Sequence, residues 1–147
     1  MEGKTDNATS RSTRQVFMPS RKKGMHLQQV LLEVKDVERS KQFYTKTLGF
    51  KLLYDFSPEY LAVGTPNKLQ IGFYPAKSGR ASPASKGRPA AMEFEVDSVD
   101  TWYNRLKKKG VRFVQKPKNE WGEREARFLD PDGFRLAISG PIPKRLA

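Results

Sequence analysis

The chain is built from two similar halves, and this internal repeat constrains its fold more than any other feature. The segment from Gln29 to Val37 corresponds to the segment from Ala91 to Val99, a displacement of 62 residues (91 − 29). A shorter match relates Leu69-Gln70-Ile71 to Leu136-Ala137-Ile138, a displacement of 67 residues (136 − 69). A repeat of this length indicates two copies of one structural unit that face each other, with a site between them.

Each half predicts the element order β-α-β-β-β. In the first half, alternation predicts a strand over 26–34, and Asp36 is placed to cap a helix that Gly49 ends. In the second half, Ser98 takes the capping position, and Asp130-Pro131-Asp132-Gly133 is typical of a β-turn. The other predicted elements are a helix over 37–48, a helix from 99 that Gly110 stops, and strands over 50–55, 60–63, 68–74, 91–96, 111–115, 125–129 and 134–139.

Composition divides the chain into a domain and its flanking segments. Residues 1–25 are polar and basic, without periodicity, and are expected to be a disordered tail. A stretch rich in Gly, Ser, Pro and basic residues predicts a linker inside the domain. The predicted division is a domain over 26–140 with module 1 at 26–76, a linker at 77–89 and module 2 at 90–140, followed by a C-terminal tail at 141–147.

The absence of some residue types excludes several classes of protein. With no Cys, the chain cannot form disulfides, thiolate nucleophiles or Cys-ligated zinc sites. There is no run of 18 apolar residues, and the N-terminus lacks the apolar core of a secretory signal. We therefore expect no membrane partner and a cytoplasmic location.

The chain is strongly basic, with 28 Lys and Arg against 16 Asp and Glu, a net charge of +12. Part of this charge lies in the N-terminal tail and part on the second predicted helix, at Arg105, Lys107, Lys108 and Lys109. Such charge favours contact with anionic partners, including nucleic acid, or else forms a solvated basic surface without a dedicated partner. No RNA-binding sheet signature accompanies it.

Two motifs resemble those of one known family. The segment from Leu32 to Ser40, continued by Phe43-Tyr44 and Leu48-Gly49-Phe50, is similar to the usual strand–helix signature of the vicinal oxygen chelate superfamily, also called the glyoxalase, bleomycin-resistance and dioxygenase superfamily. The segment Asp130–Phe134 is similar to the final hairpin of that family. The resemblance covers about 26–140 and implies an α+β fold of paired βαβββ modules, whose curled mixed sheets form a cup.

In metal-dependent members of this superfamily the cup holds one divalent ion, bound by residues of the first and fourth strands of each module. Carried onto this chain, those four positions are Gln29, Gln70, Ala91 and Ala137. A methyl group cannot bind a metal, and neutral amides are weak ligands for a divalent cation. The resemblance therefore implies no metal, no cofactor and no catalytic residue, so we expect a binding protein more than an enzyme.

Side chains on the same strand faces as those four positions are expected to line the cup. Glu93 and Glu95 are two apart and share a face. They could bind a cation, share a proton, build another metal site with Glu33, or pair with nearby basic side chains at the rim. The lining favours an amphipathic ligand that is cationic or forms hydrogen bonds. The predicted ligand-binding residues are Gln29, Glu33, Gln70, Tyr74, Glu93, Glu95, Trp121 and Arg135.

Three functions compete at this point. The first is a metal-independent small-molecule binding protein, resembling the bleomycin resistance branch that sequesters antibiotics; the resemblance also implies a homodimer. The second is a metal-dependent glyoxalase-like lyase, isomerase or dioxygenase that uses unorthodox ligands. The third is a basic interaction protein that contacts nucleic acid or another anionic partner.

Overall fold

The computed structural model of the chain describes residues 23–76 and 90–147. The predicted linker at 77–89 and nearly all of the predicted N-terminal tail lie outside these described residues. The described part contains two modules of the same element order, each with one sheet and one main helix.

The first module begins with a strand that leads directly into a helix. The Asp36 side chain accepts a hydrogen bond from the Arg39 N–H, as a capping residue does. The helix widens into a π-helical segment before it ends, and three antiparallel strands follow. The elements are β1 Val30–Val34, α1 Val37–Lys41, the π-helical segment Gln42–Thr47, β2 Lys51–Phe56, β3 Tyr60–Gly64 and β4 Gln70–Pro75.

The second module repeats this order. The Ser98 side chain accepts from the Thr101 N–H at the helix start, and Gly110, at a φ of 87°, follows its end. The elements are β5 Met92–Glu95, α2 Val99–Lys108, β6 Arg112–Glu120, β7 Glu123–Leu129, β8 Arg135–Gly140 and a short 3₁₀ turn Lys144–Leu146.

Each module forms one four-stranded mixed sheet. The strand orders are β1-β4-β3-β2 and β5-β8-β7-β6, so the two sheets have the same topology. The first and last strands of each module pair in parallel, and the other neighbours pair antiparallel. The predicted α+β fold of paired βαβββ modules is confirmed. Within the described ranges the sheets stay separate, since each strand pairs only inside its own module.

Each sheet packs one face against the helices and leaves the other face, here called the cup face, turned away from them. In β4, Ile71 and Phe73 belong to the buried core, so Gln70, Gly72 and Tyr74 lie on the cup face. In β8, Leu136 and Ile138 belong to the core, so Arg135, Ala137 and Ser139 lie on the cup face. The predicted division of faces therefore agrees with the observed burial.

Polar contacts join the two modules. The Tyr44 hydroxyl of the first module donates to an Asp130 carboxylate oxygen of the second at 2.8 Å. In the same turn, Asp132 accepts from the Lys35 N–H at 2.8 Å and from the Arg39 guanidinium at 3.0 Å. These two carboxylates therefore attach the final hairpin of module 2 to the first helix and its flanking residues in module 1.

The observed pairing corrects the repeat. Val30 lies opposite Ile71, and its counterpart Met92 lies opposite Leu136. Ile71 and Leu136 are therefore equivalent, a displacement of 65 residues (136 − 71) where the sequence match indicated 67. Main-chain pairing sets equivalence in a sheet, so the counterpart of Gln70 is Arg135, and Ala137 is the counterpart of Gly72.

Two local predictions differ from the structure. The first strand starts at Val30, so residues 26–29 of the predicted strand precede it and Gln29 lies just outside its end. The predicted loop around Trp121 is a tight hairpin turn between β6 and β7. Trp121 has a φ of 56° and Gly122 a φ of 80°, the left-handed pair that a two-residue hairpin turn requires.

Candidate functional site

A cleft of about 640 Å³ lies between the two modules. One side is formed by the start of β1, the end of the first helix and the residues before β4; the other is formed by β5 and α2. Most of the lining is apolar, which suits the body of an organic molecule. The aromatic members of the lining are Phe50, Phe94, Trp102 and Phe128.

Gln29 and Gln70 line this cleft on the first-module side, and the Tyr60 side chain contacts both of them. The Gln29 carbonyl oxygen accepts from the Tyr60 hydroxyl at 2.7 Å and from the Gln70 amide nitrogen at 3.0 Å. The same Gln70 nitrogen lies 3.1 Å from the Tyr60 hydroxyl oxygen, to which it donates. This closed set, here called the amide cluster, fixes the positions of Gln29 and Gln70. It leaves the Gln29 amide N–H groups and the Gln70 carbonyl outside these bonds, so they can face a ligand.

The absence of a side chain at Gly72 leaves the space that the amide cluster occupies. A Cβ atom at this position would stand 2.7 Å from the Gln29 side-chain oxygen and 3.0 Å from Cε1 of Tyr60. Leu31, opposite Gly72 in the sheet, would also be within 2.9 Å. Only a residue without a side chain allows all three to lie this close to the sheet.

The structure brings four of the predicted ligand-binding residues to the cleft: Gln29, Gln70, Glu93 and Glu95. Both carboxylates are exposed, on the cup face of β5. Glu93 accepts a hydrogen bond from the Ser139 hydroxyl at 3.2 Å. Neither forms an ion pair within the described residues.

The other four predicted ligand-binding residues lie away from the cleft lining. Glu33 and Tyr74 face each other across β1 and β4, on the cup face of the first sheet. Trp121 stands at its hairpin tip with 95% of its surface exposed, so it forms no wall of this cleft. Arg135 lies on the cup face of the second sheet, with its backbone carbonyl accepting from the Ala91 N–H at 2.7 Å.

The sequence did not indicate the role of Tyr60. Tyr60, which is not among the predicted ligand-binding residues, holds Gln29 and Gln70 together by hydrogen bonds. Its role depends on the alignment of β3 beside β4, where Ala62 lies opposite Gly72. A signal was present in the Gly at 72, because a glycine inside a strand often marks a close approach by a neighbouring group.

The donor groups at the four positions implied by the resemblance do not fit a divalent ion. Ala91 and Ala137 offer only methyl groups, and the Gln29 oxygen already accepts two hydrogen bonds. In the ranges 23–76 and 90–147 there is also no group of three or more His, Asp or Glu side chains arranged to hold a metal. What these side chains offer a ligand is hydrogen bonds, charge and apolar contact.

The basic helix uses much of its charge within the molecule. The Arg105 guanidinium lies 4.7 Å from the centre of the Trp102 ring, and the Lys107 ammonium lies 5.3 Å from that of Tyr103. Lys109 reaches the carbonyl oxygens of Lys46 and Thr47 at 3.4 Å, where its charge suits the end of the first helix. Nothing in this arrangement favours a polymer over solvent as the partner of α2.

The chain belongs to the glyoxalase/bleomycin resistance protein/dioxygenase superfamily, whose family pattern matches residues 26–138. No helix of the described residues is long and apolar enough to cross a bilayer. The cytoplasmic location stays a prediction.

Three similar proteins illustrate this membership. The uncharacterized protein YetH of Bacillus subtilis (strain 168) is 33% identical over 112 residues, covering 71% of this chain and 88% of YetH. The uncharacterized protein YraH of the same organism is 29% identical over 124 residues, covering 78% and 97%. Among solved structures, TnmS3, an antibiotic binding protein from Streptomyces sp. CB03234, is 28% identical with a TM-score of 0.66, covering 83% of this chain and 100% of TnmS3.

Proposed function

We propose that this protein binds a small organic molecule of the antibiotic class, without a metal ion, in the cleft between its modules. Its action is sequestration, and no residue is assigned a catalytic role. The observation that carries the proposal is the cleft itself, a mostly apolar space of about 640 Å³ whose lining includes Gln29 and Gln70 of the amide cluster and two carboxylates without an ion-pair partner in the described residues, Glu93 and Glu95.

The side chains at the metal-ligand positions support metal independence. Gln29 and Gln70 hold each other and Tyr60, so their geometry is set before any ligand arrives. Preorganised hydrogen-bonding groups reduce the entropy lost on binding. The likeness to TnmS3, an antibiotic binding protein, adds support for the class of ligand.

A homodimer is part of the proposal, because a single chain leaves apolar residues of its sheets open. Leu31 is 52% exposed, Tyr74 38% and Phe56 58%. Exposed apolar surface of this kind on a sheet favours burial against another protein surface. A second copy of the chain, placed over the cup face of the first sheet, would cover it and narrow the approach to the amide cluster.

Binding can be tested by thermal shift and calorimetry against bleomycin-type glycopeptides, mitomycins and other planar drugs. A ligand that binds only the folded protein stabilises it by RT ln(1 + L/Kd), where L is the free ligand concentration, so the melting temperature rises with the logarithm of that concentration once it exceeds Kd. Val30→Trp, at the rim of the cleft, should abolish the shift by filling the opening. Leu52→Trp is the matched control, because Leu52 is 38% exposed on β2 and does not line the cleft, while Val30 is 36% exposed.

Metal independence has its own measurement. Binding should be unchanged after treatment with a chelator and after addition of Ni²⁺, Zn²⁺, Mn²⁺ or Fe²⁺. Elemental analysis of protein purified without chelator gives the second readout. Stoichiometric metal, together with binding that the chelator removes, would overturn metal independence; a panel that never shifts the melting temperature would overturn the binding function.

A further inference from the structure

One arginine of the second sheet has a buried donor with no acceptor. The Nε atom of Arg135 is buried and makes no hydrogen bond within the described residues. A buried donor left unpaired destabilises a fold, and most buried polar atoms in proteins are paired. This donor therefore calls for an acceptor that the folded chain does not supply.

The other two arginines of β7 and β8 are paired. The Arg124 Nε donates to Asp100 at 2.7 Å, and the Arg127 Nε donates to Glu125 at 2.8 Å. Arg127 lies opposite Ala137 on the same cup face as Arg135. The face thus holds one guanidinium that is neutralised by a neighbour and one whose Nε is not.

Leu129 lies opposite Arg135 in the sheet, and two alanines are also its near neighbours. Ala91 is bonded to it across the sheet edge, and Ala137 follows two residues later on the same face. These alanines are the two second-module positions at which the superfamily resemblance places metal ligands. Glu93 shares the cup face as well, but it accepts from Ser139 and forms no ion pair with Arg135.

We propose that Arg135 binds a carboxylate group of the ligand, and so supplies the positive charge that a metal ion supplies in metal-dependent members. This deepens the proposed function and rests on it, because it names the chemistry of one end of the ligand. A guanidinium is always charged and offers planar, forked N–H donors that match the two oxygens of a carboxylate. The two methyl groups leave room for those oxygens and offer no competing acceptor.

The positions of Glu93 and Glu95 relative to Arg135 limit the class of ligand. A carboxylate-bearing ligand meets Arg135 on the inner strand β8, while the acidic side chains lie on the edge strand β5, one strand spacing of about 4.8 Å away. The assigned class is an apolar or aromatic molecule with a terminal carboxylate.

The test uses the full-length protein labelled with ¹⁵N and the arginine Nε–Hε resonances as the readout. The probes are 4-phenylbutyrate, 4-phenylbutylamine and 4-phenylbutan-1-ol, which share one apolar body and differ in the end group. The carboxylate should shift the Arg135 Nε–Hε resonance and bind about tenfold more tightly than the alcohol, since one charge-assisted pair is worth about 1.4 kcal/mol or more. The amine should bind no better than the alcohol.

Arg135→Met should weaken carboxylate binding about tenfold. Arg112→Met is the matched control, because Arg112 lies opposite Leu129 on the edge strand β6 and is exposed; it should change binding by less than about twofold. Arg135→Lys keeps the charge without the fork and should give an intermediate loss. Melting temperatures confirm that each variant is folded.

Equal binding of the carboxylate and the alcohol, preferential binding of the amine, or full affinity in Arg135→Met would each overturn the role of Arg135. The drug panel separates this failure from failure of the proposed function. If drugs bind and Val30→Trp blocks them, but the Arg135 resonance and affinity do not respond to a carboxylate, only the present inference fails. If no drug binds while the carboxylate still shifts Arg135, the antibiotic proposal fails and the carboxylate site stands.

Discussion

The Tyr44 hydroxyl donates to Asp130 at 2.8 Å, and these two residues belong to different modules. Both are buried: Tyr44 has no exposed surface and Asp130 is 4% exposed. The Asp130 carboxylate also accepts from the backbone N–H groups of Asp132 and Phe134 at 2.8 and 2.9 Å. One carboxylate therefore shapes the final turn of module 2 and attaches it to the helix of module 1.

We expect Tyr44→Phe to lower the free energy of unfolding by about 1.5–3 kcal/mol, the usual worth of a hydrogen bond to a charged group. The change removes one oxygen and keeps the ring contact with Phe73, whose centre is 4.6 Å away. Urea unfolding measures the loss. Tyr103→Phe is the control, because Tyr103 also packs by its ring, 4.6 Å from Phe113. Equal stability of Tyr44→Phe and wild type would contradict a joining role for this bond.

Asp130 predicts a pH dependence of stability. Burial raises the pKa of Asp130 above its ordinary value of 3.8, although hydrogen bonds from Tyr44 and the backbone oppose the rise. Between these two pKa values the folded protein binds more protons than the unfolded chain. This group therefore stabilises the fold at low pH, and its contribution is lost as the pH rises through the folded pKa.

Asp130→Asn should remove that fall in stability, since an amide keeps the hydrogen-bonding shape without titrating. Its oxygen can accept from the two backbone groups, and its nitrogen can donate to the Tyr44 oxygen. Unfolding free energies measured from pH 4 to 7 in both proteins give the difference. Asp97→Asn, at an exposed position, is the control. A slope unchanged by Asp130→Asn would mean that other groups cause the pH dependence.

Gly72→Ala should disturb the amide cluster and weaken ligand binding. The new methyl would press on the Gln29 oxygen, a Leu31 methyl and the Tyr60 ring. These are ends of flexible side chains, so the cost in unfolding free energy should stay near the lower end of the usual 1–3 kcal/mol for overpacking, about 1 kcal/mol. For any drug that the panel identifies, the loss in binding free energy should exceed the loss in unfolding free energy.

Gly64→Ala provides the comparison within the same sheet. A Cβ there meets only the Leu53 side chain, at 3.1 Å, and Gly64 is paired with Gln70 across β3 and β4. It should alter stability with little effect on binding. If the two variants bind equally well, the amide cluster does not contact the ligand.

Asp55 should titrate at unusually low pH. Its pKa is lowered to about 2 by hydrogen bonds from the Ser57 hydroxyl, the Lys41 ammonium and the Ser57 backbone N–H. A lowered folded pKa means that this contribution to stability is present above the ordinary value of 3.8 and is lost as the pH falls toward 2. NMR titration of the carboxylate measures the pKa directly, and Ser57→Ala should raise it. A pKa near 3.8 in the wild type would contradict the contact.

Much of the fold could be predicted because local signals and the repeat agreed. Asp36 and Ser98 were predicted as helix caps, and the structure confirms both. The predicted turn at Asp130 is also confirmed, because the Gly133 N–H donates to the Asp130 carbonyl at 3.0 Å. Apolar alternation in β4 and β8 correctly divided the sheet faces. These features depend on neighbours within a few residues, which a sequence displays directly.

The site was harder to predict because it depends on register and on contacts between modules. A match of Leu-x-Ile paired Gln70 with Ala137, whereas the strands make Arg135 its counterpart. Trp121 was expected on a loop, whereas β6 and β7 extend to Glu120 and Glu123 and leave only a two-residue turn at Trp121 and Gly122. The apolar cleft combines side chains from distant elements, and no spacing along the chain indicates that Phe50 and Phe94 meet at 5.2 Å.

The contacts of Asp132 have a consequence for how the chain could be divided. Its carboxylate accepts from the Lys35 N–H, the Arg39 guanidinium and the Ser40 hydroxyl, all of which lie in the other module. The two modules are therefore joined by these hydrogen bonds as well as by the chain through residues 77–89. Two separately expressed fragments, broken in that segment, would carry complementary surfaces and should reassemble as a split protein whose reunion reports on the pocket between them.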